Sequence, residues 1–346
     1  MSAVWWASPA ALSLLVLVLQ NSILVVMTRY SRVSVPPEKR YHASTLVLNQ
    51  EILKMFFCLV IFVVENHFCN RVPLLDARGA STVTPGVLTL LRRAIFQGET
   101  LKLSVPAALF TMQNYLIFFG LSNLDAVSFQ VWSQTKLVSA AVFSVILLKR
   151  RLRVMQWVSL FLLTFGVLLT QLQETSAEKR LPTEGRTQRP LLGVASCVLS
   201  GLSSSYAGVY FEKVVKTTPP SLAVRNIHLS VFGIPFAVLS MFVLDILPSW
   251  KTKKGQEFYF WRGYNQWLTI GLVFIHAFGG LLVAIVVKYA DNIVKGFATG
   301  VAVAVSGVMS FVIWGLVPSN MFVWGCCLIT VATVIYHRHE ERVPTE

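Results

Sequence analysis

The amino-acid sequence predicts an all-α membrane protein with ten transmembrane helices built as two inverted five-helix repeats. The chain is 55% hydrophobic and only 13% charged, whereas soluble domains are roughly 45–50% apolar and about 25% charged. The apolar residues fall in runs of about 20, the length that crosses a bilayer core of about 30 Å as a helix. The hydropathy of 126–173 also resembles that of 294–337 when Asp125 is aligned with Asp291.

The spans are separated by segments in which Pro, Gly and charged residues cluster, as expected of loops. The longest such segments are 65–100, 174–190 and 248–266. The first apolar stretch has no positively charged lead-in, which indicates a spanning helix rather than a cleaved signal peptide. A window of about 19 residues places the spans near 10–28, 43–64, 103–122, 126–148, 154–173, 191–212, 226–247, 267–288, 294–316 and 319–337.

The aligned pairs of spans divide the chain into two halves. Because five is an odd number, two five-helix halves would enter the membrane in opposite senses, as in many secondary transporters. An even total places both termini on one side, and the basic cluster at 149–153 indicates that this side is cytoplasmic. The expected divisions are a first half at 1–173, a polar linker at 174–190, a second half at 191–337 and a tail at 338–346.

Composition and motifs disfavour several function classes. The net charge is +14, but the basic residues lie in loops and at helix ends without the interleaved aromatic residues typical of a nucleic-acid interface. Five cysteines without CxxC spacing indicate neither a disulfide framework nor a zinc site. No HExxH, GxSxG or P-loop motif occurs. The sequence therefore predicts no catalytic site, metal or cofactor, and no nucleic-acid partner.

A few ionisable residues fall inside or at the ends of the apolar spans, where a charge costs about 2.5–3.5 kcal/mol. Glu51 and Lys54 are spaced to form an ion pair on one helix face. Asp291, like Asp125, precedes a span and is expected to cap a helix N-terminus. Lys136 lies in mid-span without an acidic residue within one turn, and Lys295 opens the ninth span. Lys136 in particular predicts a bound anion.

Amide side chains accompany these lysines. Gln113 and Asn114 lie in mid-span, Gln130 lies on the helix of Lys136, and Asn226 opens the seventh span. Hydrogen bonding between helices and contact with a ligand are both open interpretations for Asn114 and Asn226. Together with two lysines, such amides suit a polar solute that contains phosphate.

Several short motifs occur in order along nearly the whole chain. They are Gln113-Asn114, Leu121-Ser122-Asn123-Leu124-Asp125-Ala126, Phe129-Gln130, Gln134-Thr135-Lys136, Ala207-Gly208-Val209-Tyr210-Phe211-Glu212-Lys213, Val224-Arg225-Asn226-Ile227, Gly279-Gly280-Leu281 and Val287-Lys288-Tyr289-Ala290-Asp291-Asn292-Ile293-Val294-Lys295-Gly296-Phe297. In this order they resemble the nucleotide-sugar transporter family of the drug/metabolite transporter superfamily, in the subgroup of CMP-sialic acid, UDP-galactose and UDP-N-acetylglucosamine carriers.

The resemblance implies ten helices, residence in the Golgi membrane, and antiport of a nucleotide-sugar against the nucleoside monophosphate. It also implies that Lys136 and Lys295 contact the phosphates and that Asn114 and Asn226 hold the nucleotide. The full set of substrate-binding residues expected is Lys136, Lys295, Asn114, Asn226, Gln113, Phe129, Gln130 and Phe110.

The chain departs from this subgroup at positions that often carry tyrosine, where it has Phe110, Phe129, Trp132-Ser133 and Ser230. Sugar preference therefore cannot be copied from a relative. A UDP-linked sugar such as UDP-GlcNAc or UDP-galactose is favoured because UDP carriers dominate the subgroup, and CMP-sialic acid is the alternative. Other classes left open are a membrane-embedded transferase and a scaffold with a decayed site. The expected partners are the nucleotide-sugar, the monophosphate and the lipid bilayer, and a homodimer is left open.

Overall fold

A computed structural model describes residues 8–36, 39–65, 89, 92, 100–124, 126–178, 189–217, 221–247, 249, 258–315 and 318–340. Within these ranges the main elements are helices. Their bounds are α1 Pro9–Ser34, α2 Ala43–Val64, α3 Ser104–Asn123, α4 Ala126–Ser133, α5 Thr135–Leu148, α6 Val154–Glu178, α7 Pro190–Thr217, α8 Leu222–Met241, α9 Trp267–Tyr289, α10 Asn292–Trp314 and α11 Asn320–Glu340.

Four of the described helices begin at side chains that bind a free backbone amide of the first turn, including α11, where Ser319 Oγ accepts from Phe322 N. Ser8 Oγ accepts from Ala11 N in α1, and Ser221 Oγ accepts from Val224 N in α8. Asp291 Oδ1 accepts from Val294 N at 2.6 Å and caps α10. The expected capping role of Asp291 is thus confirmed, whereas Asp125 lies outside the described residues.

The span expected at 126–148 forms one apolar helical segment at Ser128–Leu148, with a break in the regular α-helical hydrogen bonding at Gln134. α4 ends at Ser133 and α5 begins at Thr135, with Gln134 in a turn between them. Here Gln134 N donates to the carbonyl oxygen of Val131 and Leu137 N to that of Gln134, so the bonds are the tighter i to i+3 type. Gln134 Nε2 also donates to Gln171 Oε1 on α6 at 2.9 Å. The break comes directly before Lys136.

The helices pack side by side, with α6 along α11, α3 along α7, and α2 along α8, while α1 contacts both α9 and α10. Large apolar side chains remain exposed on the outer faces, among them Phe56, Ile146, Phe161 and Trp324. Nine helical segments of the described chain are long and apolar enough to cross a membrane. The expected total of ten spans and the inverted repeat stay predictions.

A π-helix at Phe242–Ile246 continues α8 and meets the start of α2. Asp245 accepts a short hydrogen bond from Ser44 and lies 3.6 Å from His42 Nδ1. Burial opposes ionisation of Asp245, but the hydrogen bonds from His42 and Ser44 and the charge of His42 outweigh it and hold its pKa below the ordinary value. These contacts join the ends of α2 and α8.

Candidate functional site

A cavity of about 330 Å³ lies between the helices. Its wall is built from α1, α2 and α3 and from α7, α8, α9 and α10, so both expected halves contribute. Apolar side chains cover much of the wall. The polar residues that line it include Gln20, Asn21, Gln50, Glu51, Lys54, Asn226, His276 and Lys295.

Lys295 is placed in this cavity by the first turn of α10. Its backbone N donates to the carbonyl oxygen of Asp291 at 3.0 Å, immediately after the Asp291 cap. Within the described residues, its ammonium group has no hydrogen-bond or ion-pair partner. Phe110 of α3 and Asn226 of α8 line the same cavity. Three of the expected substrate-binding residues are therefore brought together.

Lys136 lies at the start of α5, just after the break at Gln134. It is not among the described residues of the cavity wall. Its positive charge repels that of Lys295, which the Glu212 carboxylate attracts. The side chain is exposed, and its ammonium has no acidic partner in the described part of the chain.

Gln113, Gln130 and Phe129 are not among the described residues that line the cavity. The carbonyl oxygen of Gln113 accepts from Ser200 Oγ at 3.3 Å, and the carbonyl oxygen of Gln130 accepts from Ser133 Oγ at 2.9 Å. Phe129 is half-buried beside Gly120. Asn114 belongs to α3, but its side chain lies outside the described part of the structure.

The expected ion pair of Glu51 and Lys54 is confirmed, with Lys54 Nζ at 2.6 Å from Glu51 Oε2 and 2.7 Å from Oε1. The pair also faces the cavity, which sequence spacing did not indicate. Because Glu51 offsets the charge of Lys54, Lys295 is the lining cation that has no ion-pair partner among the described residues.

Gln20, Asn21, Gln50 and His276 are cavity residues that sequence reasoning missed. Gln20 Nε2 donates to the carbonyl oxygen of Ile275 at 3.1 Å, which ties α1 to α9. The Oε1 atom of Gln50 is buried without a hydrogen-bond partner among the described residues. Adjacent Gln20 and Asn21 inside an otherwise apolar first span were the available signal.

An ion-pair network lies beside the N-terminus of α10. Arg150 Nη1 is 2.5 Å from Asp291 Oδ2, and Arg150 Nη2 is 2.7 Å from Glu212 Oε1. Lys216 Nζ is 2.8 Å from the same Glu212 oxygen, and the Glu212 side chain is fully buried. Burial alone would lower the pKa of Arg150, but the charges of Asp291 and Glu212 outweigh it and raise that pKa. The network joins the turn after α5 to α7 and α10.

The cavity therefore has a wall suited to an anion that also carries polar groups. Unpaired ammonium groups form strong charge-assisted hydrogen bonds with phosphate oxygens. Amides and a histidine offer both donors and acceptors, which suit a nucleobase or sugar hydroxyls. An apolar wall with a few converging polar groups is the usual form of a small-molecule site.

Comparison with known proteins decides the family. Residues 10–337 match the family model for nucleotide-sugar transporters. The chain belongs to the nucleotide-sugar transporter family. Among its relatives in this family is a UDP-N-acetylglucosamine transporter of Mus musculus, 38% identical over 326 residues, 94% of each chain. A UDP-N-acetylglucosamine/UDP-N-acetylgalactosamine transporter of Caenorhabditis elegans is 35% identical, covering 97% of this chain and 95% of its own.

A UDP-galactose translocator of Bos taurus is another relative in the nucleotide-sugar transporter family. It is 39% identical over 94% of this chain and 77% of its own length. A crystal structure with 17% sequence identity superimposes with a TM-score of 0.62 over 97% of this chain and 99% of the other. That likeness shows a shared fold. Together, the family and the apolar helices show that the chain is a multi-pass membrane protein.

Proposed function

We propose that this chain is a nucleotide-sugar antiporter of the Golgi membrane. It imports a UDP-linked sugar, such as UDP-GlcNAc or UDP-galactose, and exports the nucleoside monophosphate by alternating access. The relatives named for UDP-N-acetylglucosamine and UDP-galactose support this substrate class. Because those relatives are transporters and translocators, they also favour transport over catalysis.

The observation that carries the proposal is the cavity that holds Lys295 between helices of both halves, with Lys136 close by. Transporters built from inverted repeats bind substrate between the halves near the midplane. We therefore propose ten spans, with halves at 1–173 and 191–337 joined by the 174–190 linker, and with both termini and the tail at 338–346 in the cytoplasm. Rocking of one half against the other would expose the cavity to each side in turn.

In this proposal Lys295 and Lys136 bind the phosphates, which are common to the nucleotide-sugar and the monophosphate. A site that holds the shared part of both ligands accounts for exchange, because either ligand lowers the cost of reorienting two unpaired cations. Asn226 and Phe110 then contact the nucleotide from α8 and α3. Asn114, Gln113, Phe129 and Gln130 stay candidates on the basis of sequence alone.

Uptake by purified protein in liposomes tests the proposal. Vesicles preloaded with UMP, CMP, GMP or buffer are offered a panel of labelled nucleotide-sugars. We expect uptake of UDP-sugars that is faster into UMP-loaded vesicles than into buffer-loaded vesicles. Uptake of CMP-sialic acid with CMP as the preferred counter-substrate would replace the proposed specificity, and release of free sugar without uptake would indicate a transferase.

A further inference from the structure

One face of α7 carries Gly201, Ser205, Gly208 and Glu212. Residues spaced by three and four positions lie above one another on a helix, so these four form a single stripe. All four are buried, with Ser205 only 3% exposed and Glu212 fully buried. This stripe faces the helices that carry Lys136 and Lys295.

The first part of the stripe holds the backbone of Lys136. Ser205 Oγ donates to the carbonyl oxygen of Lys136 at 2.6 Å. A Cβ atom at Gly201 would come within 3.0 Å of Lys136 N, so the absence of a side chain there lets α7 approach the start of α5. Both contacts fall just after the tightened turn at Gln134, at the start of α5.

The second part of the stripe holds the start of α10. Asn292 N donates to Glu212 Oε2 at 2.9 Å, which satisfies one of the free amides of the first turn. A Cβ atom at Gly208 would come within 2.7 Å of Asn292 Oδ1, so close packing requires glycine here as well. Lys295 follows Asn292 by less than one turn of the same helix.

Lys136 and Lys295 form no ion pair among the described residues and repel one another, while the Glu212 carboxylate attracts Lys295. Repulsion alone cannot set their separation. A straight helix can fix this separation, because Ser205 and Glu212 lie about 10 Å apart along its axis. We propose that α7 sets the spacing of Lys136 and Lys295, and that Ser205 and Glu212 are positioning residues for phosphate recognition. This inference rests on the proposed function, since it assigns both lysines to one ligand.

Ser205→Ala is the test variant, and Ser203→Ala is its matched control. Ser203 lies on the same helix and is similarly buried at 6% exposure, but its hydroxyl donates to Leu199 of its own helix. Dissociation constants for UMP and UDP are measured by calorimetry on the purified full chain, together with the melting temperature. Ser205→Ala loses one hydrogen bond to the backbone at the start of α5, so its dissociation constants for UMP and UDP should rise about threefold to tenfold. Those of Ser203→Ala should stay at the wild-type values.

Gly201→Ala provides a second, steric test, because its methyl group would push the start of α5 away. We expect weaker UMP and UDP binding, a changed ratio of the two affinities, and a melting temperature close to wild type. The inference is overturned if Ser205→Ala and Gly201→Ala bind like wild type, if they lose only thermal stability, or if Ser203→Ala weakens binding equally.

The binding measurements distinguish a failure of the proposed function from a failure of the role of α7. A wild-type protein that binds neither UMP nor UDP contradicts the proposed function and overturns the role of α7 with it. A wild-type protein that binds both, with Ser205→Ala and Gly201→Ala unchanged, overturns only the role of α7.

Discussion

Replacement of Lys295 by alanine removes a cation that lines the cavity without an ion-pair partner among the described residues. Its ammonium has no hydrogen-bond or ion-pair partner among the described residues, and its backbone is held by the Asp291 cap. The loss should therefore fall on the ligand rather than on the fold. Stability of the ligand-free protein should stay level or rise, because an ammonium that lacks a partner away from bulk water is costly.

The size of the effect follows from the bond that is lost. A hydrogen bond to a charged group contributes roughly 1.5–3 kcal/mol, which corresponds to about tenfold to a hundredfold in the dissociation constant. Lys295→Arg should rescue poorly, since a planar guanidinium does not fit the place of a compact ammonium. Lys288→Ala is the matched control. Lys288 is exposed at the end of α9, 5.5 Å from the ring of Tyr289, and does not line the cavity.

Thermal-shift titration with UMP, CMP and GMP measures both consequences at once. We expect the Lys295→Ala protein to melt near the wild-type temperature without ligand and to gain little from UMP, whereas Lys288→Ala keeps the full ligand-induced shift. Full stabilisation of Lys295→Ala by UMP would remove this lysine from the site. Aggregation of the ligand-free variant would assign it a structural role.

Three other substitutions test separate parts of the account. Lys136→Ala should also weaken UMP binding about tenfold or more. If both lysines bind the same phosphates, the loss of binding free energy in the double variant with Lys295→Ala should be smaller than the sum of the two single losses. Calorimetry measures all three dissociation constants, and additive losses of binding free energy would contradict a shared contact. Arg150→Met should lower the free energy of unfolding by about 3 kcal/mol or more, because it leaves the carboxylates of Glu212 and Asp291 without their shared guanidinium. Arg150→Lys should not restore the melting temperature, because a single ammonium lacks the fork that bonds both carboxylates. An unchanged melting temperature in Arg150→Met would refute this role. Asp245→Asn should lower the stability of the fold at pH values above 3.8, the ordinary pKa of Asp245. A carboxyl with a lowered folded-state pKa stabilises the fold at higher pH and loses this contribution as the pH falls through that lowered pKa. Melting temperatures of the variant and the wild type should therefore converge in acid, and a difference that is constant with pH would refute the ion pair with His42.

The sequence predicted the helices well because each is specified by residues close together in the chain. Runs of apolar residues predicted the nine helical segments of the described chain that are long and apolar enough to cross a membrane. The spacing of Glu51 and Lys54 predicted their ion pair, and the position of Asp291 predicted its cap. The break at Gln134 was not foreseen, because Gln134 is compatible with a helix and the turn depends on contacts such as its bond to Gln171.

The candidate site was predicted in part. Lys295, Phe110 and Asn226 meet in one cavity, although they are far apart in the sequence. His276 was missed, because a single polar residue in an apolar span does not show which face turns inward. Gln20 was missed although Asn21 follows it directly, because the cavity forms only when α1 packs against α9. The pairing of Arg150 with Asp291 joins residues 141 positions apart, and only the packing of α5, α7 and α10 brings them together.

The most direct test of the central claim is exchange stoichiometry across a sealed vesicle. UDP-GlcNAc labelled on both uridine and sugar is offered to proteoliposomes preloaded with differently labelled UMP. The account predicts that both labels enter together, that one UMP leaves for each UDP-GlcNAc taken up, and that Lys295→Ala abolishes both fluxes while Lys288→Ala leaves them intact. Entry of the sugar label without uridine, or uptake unaffected by luminal UMP, would contradict nucleotide-sugar antiport.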